Sequence, residues 1–326
     1  IMPGVYTVSS PGLIMQPYID IEGSGEKVTR ITSALNSATY PPTVATVLGT
    51  DNAELRFLAL ENTATGGYAT AMLNMLASPS MLHVTATVSG TALSNYCVVN
   101  YTSSYPTMTN VIATASGATS SNTGVINYSS SPVMTNVTAT GSGGANSYGV
   151  ANNTSSSPTM TSVTATASGG TDSNTGVFNN VSSSPTMTNM TVTASGGTGN
   201  NFGVSNRNAS SPTMTNMTIT ASEGVLLYGV YNYASSPIMT HLIVTASGGT
   251  TASVGVHGES SGTIKINHSV IKAPTYSVYN RASVTMLIGS TQLDGGYLYN
   301  MGTASCAGVY NESYTFYSSS CTTPVN

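Results

Sequence analysis

Residues 155–170 read SSSPTMTSVTATASGG, and close copies of this phrase recur from Ser78 to about Gly249. Pro79, Pro106, Pro132, Pro158, Pro185, Pro212 and Pro237 open the copies, at spacings of 27, 26, 26, 27, 27 and 25 residues. A fixed period of this size marks a repeat architecture, in which each copy stacks on the next because it cannot bury its own apolar face. In the copy from Ser131, Met134, Val137, Ala139 and Gly141 alternate with Thr135, Thr138, Thr140 and Ser142, with one slip at Asn136. Alternation with period two is the pattern of a strand with one buried face, and β-branched Thr and Val suit it. Gly143-Gly144 breaks the run. Ala145 to Ser147 then reads as a loop, and Tyr148 to Asn152 as a second, shorter strand.

Aligned copies produce columns of like residues. Two positions after each Pro stand Met81, Met108, Met134, Met160, Met187, Met214 and Met239. The short strand supplies Val98, Val125, Val150, Val177, Val204, Val230 and Val256. One coil per copy, stacked in register, brings such columns together in a core. Two Asn columns fall at the bends. The first holds Asn110, Asn136, Asn189 and Asn216, with His83, Ser162 and His241 as variants. The second holds Asn74, Asn100, Asn127, Asn152, Asn179, Asn206 and Asn232. Asn tolerates left-handed backbone, and stacked amides can bond along an axis as a ladder.

A coil of about 26 residues, inward Val/Met/Ala stacks and Asn at the bends resemble a right-handed parallel β-helix of the pectate-lyase-like superfamily. The phrasing SSPTMTNVTATASGG…YGVYN is similar to bacterial β-helix repeat proteins of the cell surface. The expected fold is therefore all-β, a single β-solenoid of about 10–12 coils, ~50 Å long at ~4.8 Å per coil. Residues 1–77 read as irregular N-terminal coils, 78–258 as the regular repeats, and 259–326 as degenerate C-terminal coils and tail. The resemblance implies that an enzyme of this superfamily would carry clustered Asp with Arg or Lys, often with calcium, outside its central coils. Here no Asp, Glu, Lys or Arg occurs between Glu61 and Asp172.

Charged residues are only 6% of the 326 and the net charge is −4. Clustered basic residues that would bind nucleic acid are missing, and no apolar run approaches the ~20 residues of a membrane span. Ser and Thr make up roughly 30% of the chain, a bias of secreted surface repeats. The chain begins at Ile1, which reads as a processed product. Cys306 and Cys321 flank a short C-terminal segment, and a disulfide between them is expected in an oxidising compartment. Cys97 reads as a buried free thiol.

The densest charge lies in PYIDIEGSGEKVTR, residues 17–30. Asp20 and Glu22 share one strand face and read as a solvated surface with an ion pair to Lys27 or Arg30. The four histidines are read as structural, and no spacing matches a zinc site. Val225, Leu226, Leu227 and Tyr228 form an apolar stretch where the other copies have polar loops, which makes them a possible interface. Tyr101, Tyr128, Tyr231 and Tyr233 flank the second Asn column as a possible sugar-stacking strip.

With no catalytic, cofactor or metal residue identified, the expected function is a non-enzymatic extracellular structural solenoid that assembles head to tail into a filament or layer. A glycan- or surface-binding adhesin module is the alternative, and a carbohydrate-active enzyme ranks third.

Overall fold

The computed structural model describes residues 1–322. The last four residues of the expected C-terminal segment lie outside this range. The described residues form a right-handed, all-β parallel solenoid of about 11 turns. No helix occurs among them, so none is long and apolar enough to cross a membrane. All the strands join one sheet that winds around the axis. Their pairings are parallel except for Asn36–Ser37 against Tyr68 and Ala69, and a single bridge from Tyr310 to Phe316.

Each regular coil has a long strand, continuous as in Thr107–Ser116 or broken at its bend as in Val133–Thr135 and Thr138–Ser142, and a short one, such as Ser121–Tyr128. Register is kept residue for residue. Met108 pairs with Met81 and Met134, and Val125 with Val98 and Val150. The Met column from Met81 to Met239 is fully buried, each side chain contributing roughly 1.5–3 kcal/mol of hydrophobic stabilisation. The long strand bends at the first Asn column, where His83, Asn110, Asn136, Ser162, Asn189, Asn216 and His241 all have φ between 51° and 55°. Phe57 and His268 extend this left-handed column at either end.

The second Asn column is a buried amide ladder. Asn100 Nδ2 donates to Asn127 Oδ1 at 2.8 Å, Asn127 to Asn152 at 2.7 Å and Asn152 to Asn179 at 2.8 Å. Asn232 ends the run by donating to the His257 carbonyl, because Gly258 takes the next Asn position. A third amide column, Asn95, Asn122, Asn174 and Asn201, is also buried. Its members lie inside the short strands rather than in the polar loops that the sequence suggests. Ser104, Ser130, Ser156, Ser183 and Ser210 add a ladder in which each amide N–H donates to the next serine hydroxyl.

The stretch around Val225 departs from expectation. A single strand, Thr213–Tyr233, runs straight through it and pairs with Ile238–Glu259 across a bulge between Gly224 and Leu226. Leu227 points into a small core of Ala221, Ala246 and Ala273. Leu226 and Tyr228 are half-buried. Of the four, only Val225 is exposed, so most of their apolar surface is spent within the solenoid. Beyond Gly258 the coils shorten, with Met239, Ile266, Ile288 and Cys306 stacked in succession. Cys306 is disulfide-bonded to Cys321, and Cys97 is a buried free thiol.

Candidate functional site

Two polar clusters stand on the outside of the solenoid. The first is on the long-strand face of the N-terminal coils. Glu22 lies beside Arg56 in register, and Asp20 Oδ1 accepts the Glu54 amide N–H at 2.9 Å. Arg56 is 2.5 Å from Glu54, 2.9 Å from Glu22 and 4.0 Å from Asp20. The partner of Asp20 and Glu22 is thus Arg56, brought from the next coil, and not Lys27 or Arg30. Arg30 pairs instead with Glu61 at 3.1 Å. Arg56 thus sits among three carboxylates, of which Asp20 and Glu22 are half exposed and Asp20 lies at the limit of ion-pair distance. Among the described residues no group of three metal-ligating side chains is assembled. Farther along, His83 stacks on Phe57 and lies 3.7 Å from Glu26, while His241 stacks on His268. All four occupy or adjoin the bend column.

The second cluster is on the short-strand face of the C-terminal coils. It arises from a local motif, x-Gly-Val-x, seen in Tyr228-Gly-Val-Tyr231 and Val254-Gly-Val-His257. A Cβ on Gly229 would lie 2.2 Å from Val244 Cγ1, and Val230 is buried, so both central residues face the core. The flanking positions, three residues apart, therefore share the outer face. Stacking the coils makes two columns. One contains Phe178, Ser205, Tyr231, His257, Tyr279 and Tyr299. The other contains Phe202, Tyr228, Val254, Tyr276 and Tyr297. Ring centroids are 4.9–5.7 Å apart through most of this assembly.

A third column beside them supplies charge. Arg207, Tyr233 and Glu259 are in register, and Arg281 follows in the next coil, its amide N–H donating to the Gly258 carbonyl. Tyr231 Oη donates to Glu259 Oε2 at 2.9 Å, and Arg281 Nη1 is 3.8 Å from Glu259 Oε1. Arg207 lies 5.0 Å over the Tyr231 ring and Arg281 5.6 Å over the Tyr279 ring. Burial, reinforced by the bond to Glu259, holds the Tyr231 phenol above its usual range, so it stays protonated. Burial also raises the Tyr228 phenol. Burial lowers His257 to about 4, so its imidazole is neutral at pH 7. Two clefts open here and share Arg281 as a wall. One, of about 340 Å³, is lined by Tyr233, Glu259, Ser260, Ala282 and Met301. The other, of about 130 Å³, is lined by Tyr228, Ala252, Val254, His257, Tyr276 and Tyr279.

The four tyrosines singled out in the sequence do not form one row. Tyr101 and Tyr128 stack at 4.9 Å in the N-terminal half, beneath Tyr40, which reaches across from an irregular coil. Tyr233 continues their column after Asn153, Asn180 and Arg207, whereas Tyr231 stands in the neighbouring column between Ser205 and His257. Sequence reading did not single out Glu259 or Arg281, and it did not place His257 beside them. The signal was present in one coil: VGVHGE, residues 254–259, breaks three columns at once.

No protein-family model matches the chain, and no curated protein matches it in sequence. Solved structures do resemble it. The A-module of the mannuronan C-5 epimerase AlgE6 from Azotobacter vinelandii covers 95% of this chain and 89% of its own, with a TM-score of 0.52 and 16% identity. The A-module of AlgE4 from the same organism covers 95% and 81%, with a TM-score of 0.44 and 14% identity. The catalytic domain of a GH87 α-1,3-glucanase covers 96% and 61%, with a TM-score of 0.41 and 10% identity. The AlgE6 A-module, with a TM-score above 0.5, belongs to a carbohydrate-modifying enzyme, and against it the expectation of a non-enzymatic structural protein does not stand. The expectation rested on the uncharged central coils, whereas Arg207, Glu259 and Arg281 all stand beyond them. The chain has the pectate-lyase-like parallel β-helix fold.

Proposed function

We propose that this protein is a secreted carbohydrate-active enzyme that acts on an acidic polysaccharide at Tyr231, Glu259 and Arg281. One observation carries the proposal: a hydrogen-bonded tyrosine–carboxylate pair meets a guanidinium inside an aromatic wall with open clefts. Tyrosine rings present flat apolar faces for the C–H faces of sugars, with a polar tip for their hydroxyls. A guanidinium recognises a carboxylate through paired N–H donors. The Cys306–Cys321 bridge supports secretion, since such bonds persist in oxidising compartments.

The reaction class follows from the groups present. Hydrolysis by the usual route needs two carboxyl groups flanking the bond, and Glu259 is the one carboxylate lining these clefts. Arginine, tyrosine and glutamate suit a proton transfer next to a uronate carboxylate. Arg281 neutralises that carboxylate and so acidifies the adjacent C–H. Glu259 takes the C5 proton, and the Tyr231 phenol, held on the same side by its bond to Glu259, protonates the glycosidic oxygen as the C4–O bond breaks, which gives an elimination that leaves an unsaturated end. The AlgE6 neighbour is itself a mannuronan C-5 epimerase.

The test is turnover of mannuronan, other polyuronates and neutral glucans, read by proton NMR and by ultraviolet absorbance of unsaturated ends. Activity on a polyuronate is expected to fall about 10²–10⁴-fold in Glu259→Gln, and to be lost in Arg281→Ala. Turnover that is unchanged in both variants, or confined to neutral glucans, would overturn the assignment.

A further inference from the structure

We propose that His257 is a specificity-determining residue, which reads a hydroxyl group of the sugar next to the reacting one from inside the smaller cleft. This rests on the carbohydrate-acting reading of the same face. His257 is 4% exposed, and neither ring nitrogen meets a hydrogen-bonding partner among the described residues. Asn74, Asn95 and Asn280 also carry an unpaired buried oxygen, but each keeps a bonded amide nitrogen. The Thr70 hydroxyl and one Asp294 oxygen are unpaired as well, but neither lines the two clefts, whereas His257 lines the smaller one with both ring nitrogens unpaired. Buried polar groups in native proteins are nearly always paired, and an exception calls for a specific explanation.

The surroundings favour a ligand. The preceding coils place Phe178, Ser205 and Tyr231 in this column, and the next places Tyr279. An apolar aromatic would complete the stack without an unpaired group. The His257 ring stacks on Tyr228 at 5.3 Å and meets Tyr231 and Tyr279 edge to face at 5.2 and 4.9 Å. A neutral imidazole offers one donor and one acceptor, and a sugar hydroxyl offers the complementary pair. The cleft that His257 lines holds about 130 Å³. That is the space of about four waters at ~30 Å³ each, enough for one hydroxyl-bearing edge of a pyranose and not for the whole ring. Ala252 and Val254 provide the apolar contact for the ring carbons. Entry requires side-chain movement of Tyr228 or Tyr279, both half-buried. Arg281, which walls both clefts, links this subsite to Glu259.

The experiment is titration of the ¹⁵N-histidine-labelled protein with a mannuronate hexamer, with cellohexaose as the neutral comparison. Affinities of wild type, His257→Phe, His257→Gln and Arg281→Ala are measured in parallel. The expected result is a saturable shift of the His257 ring nitrogens and an affinity at least tenfold weaker in His257→Phe, with partial recovery in His257→Gln. If a variant fails to fold, the ring-nitrogen shift in the wild type decides alone. If the hexamer binds and Arg281→Ala weakens it, yet the His257 signals stay fixed, the subsite is refuted while the proposed function stands. If neither oligosaccharide binds the wild type, both readings fail.

Discussion

At the scale of single residues, the amide ladder and His257 show opposite treatments of a buried polar group. Every inner ladder amide is held by its neighbours one coil above and below. Asn127→Ala would leave Asn100 Nδ2 and Asn152 Oδ1 unpaired in the interior, at roughly 1–3 kcal/mol for each group. Urea unfolding is expected to register a loss of about 2–5 kcal/mol; an unchanged midpoint would mean that the ladder is not formed. His257 faces Glu259 and Arg281 as charged neighbours and Tyr228, Tyr231 and Tyr279 as packed rings. Its folded value of about 4 lies below the ordinary 6.5, so the unfolded chain binds more protons between these values. Stability is therefore unaffected above pH 6.5 and falls as pH drops toward 4, by ~3 kcal/mol in all. His257→Phe should flatten that slope in pH-dependent melting, and an equal slope in both proteins would contradict the burial argument. The ladder was legible in the sequence because seven copies spell it. The pairing of Tyr231 with Glu259 was not, because it occurs once and joins residues 28 apart.

At the scale of the element, the short strand is shaped by what faces its glycine. A Cβ on Gly176, Gly203, Gly229 or Gly255 would meet Val192, Ile219, Val244 or Ile271 at 2.2–2.4 Å. In the first regular coil the same position is Cys97, which is fully buried. Gly124 and Gly149 face only Ala139 and Ala165, yet a Cβ there would lie 2.6–2.8 Å from backbone atoms, so close backbone approach requires the glycine in each of these copies and the bulky side chain adds a second contact at the later ones. Gly229→Ala is expected to lose about 1–3 kcal/mol through overpacking. Added to Gly229→Ala, Val244→Ala should cost less than it does alone, since it vacates the contested space. Strict additivity in the double-mutant cycle would show that the two do not share it. The columns of methionine and valine could be read by alignment alone. The strand from Thr213 to Tyr233 could not, because Glu223 takes φ of 56° where its counterparts have Gly, and pairing with the next coil carries the strand through.

At the scale of the whole molecule, the aromatic face sits where the solenoid tapers and the disulfide closes it. Stability in a stacked repeat is approximately a sum of coil terms and nearest-neighbour contacts, so damage at one end stays local. Tyr276, Tyr279 and Arg281 stand only one or two coils from the strand Thr303–Ala307, which carries Cys306. A bridge closing a loop of about 15 residues contributes about 3 kcal/mol by constraining the unfolded chain. Here that contribution falls on coils that are already short, and whose outer residues Tyr297 and Met301 are exposed. Reduction of Cys306–Cys321 is therefore expected to speed amide exchange across residues 284–311 while leaving 107–195 protected. Loss of order there would withdraw Tyr299 from its stack on Tyr279, the ring beneath Arg281. Affinity for the mannuronate hexamer should fall with it, although neither cysteine touches a cleft. Exchange measured by mass spectrometry, with and without reductant, decides the point. Protection of 284–311 that survives reduction would mean that coil stacking alone holds the site, and that the bridge serves only the tail.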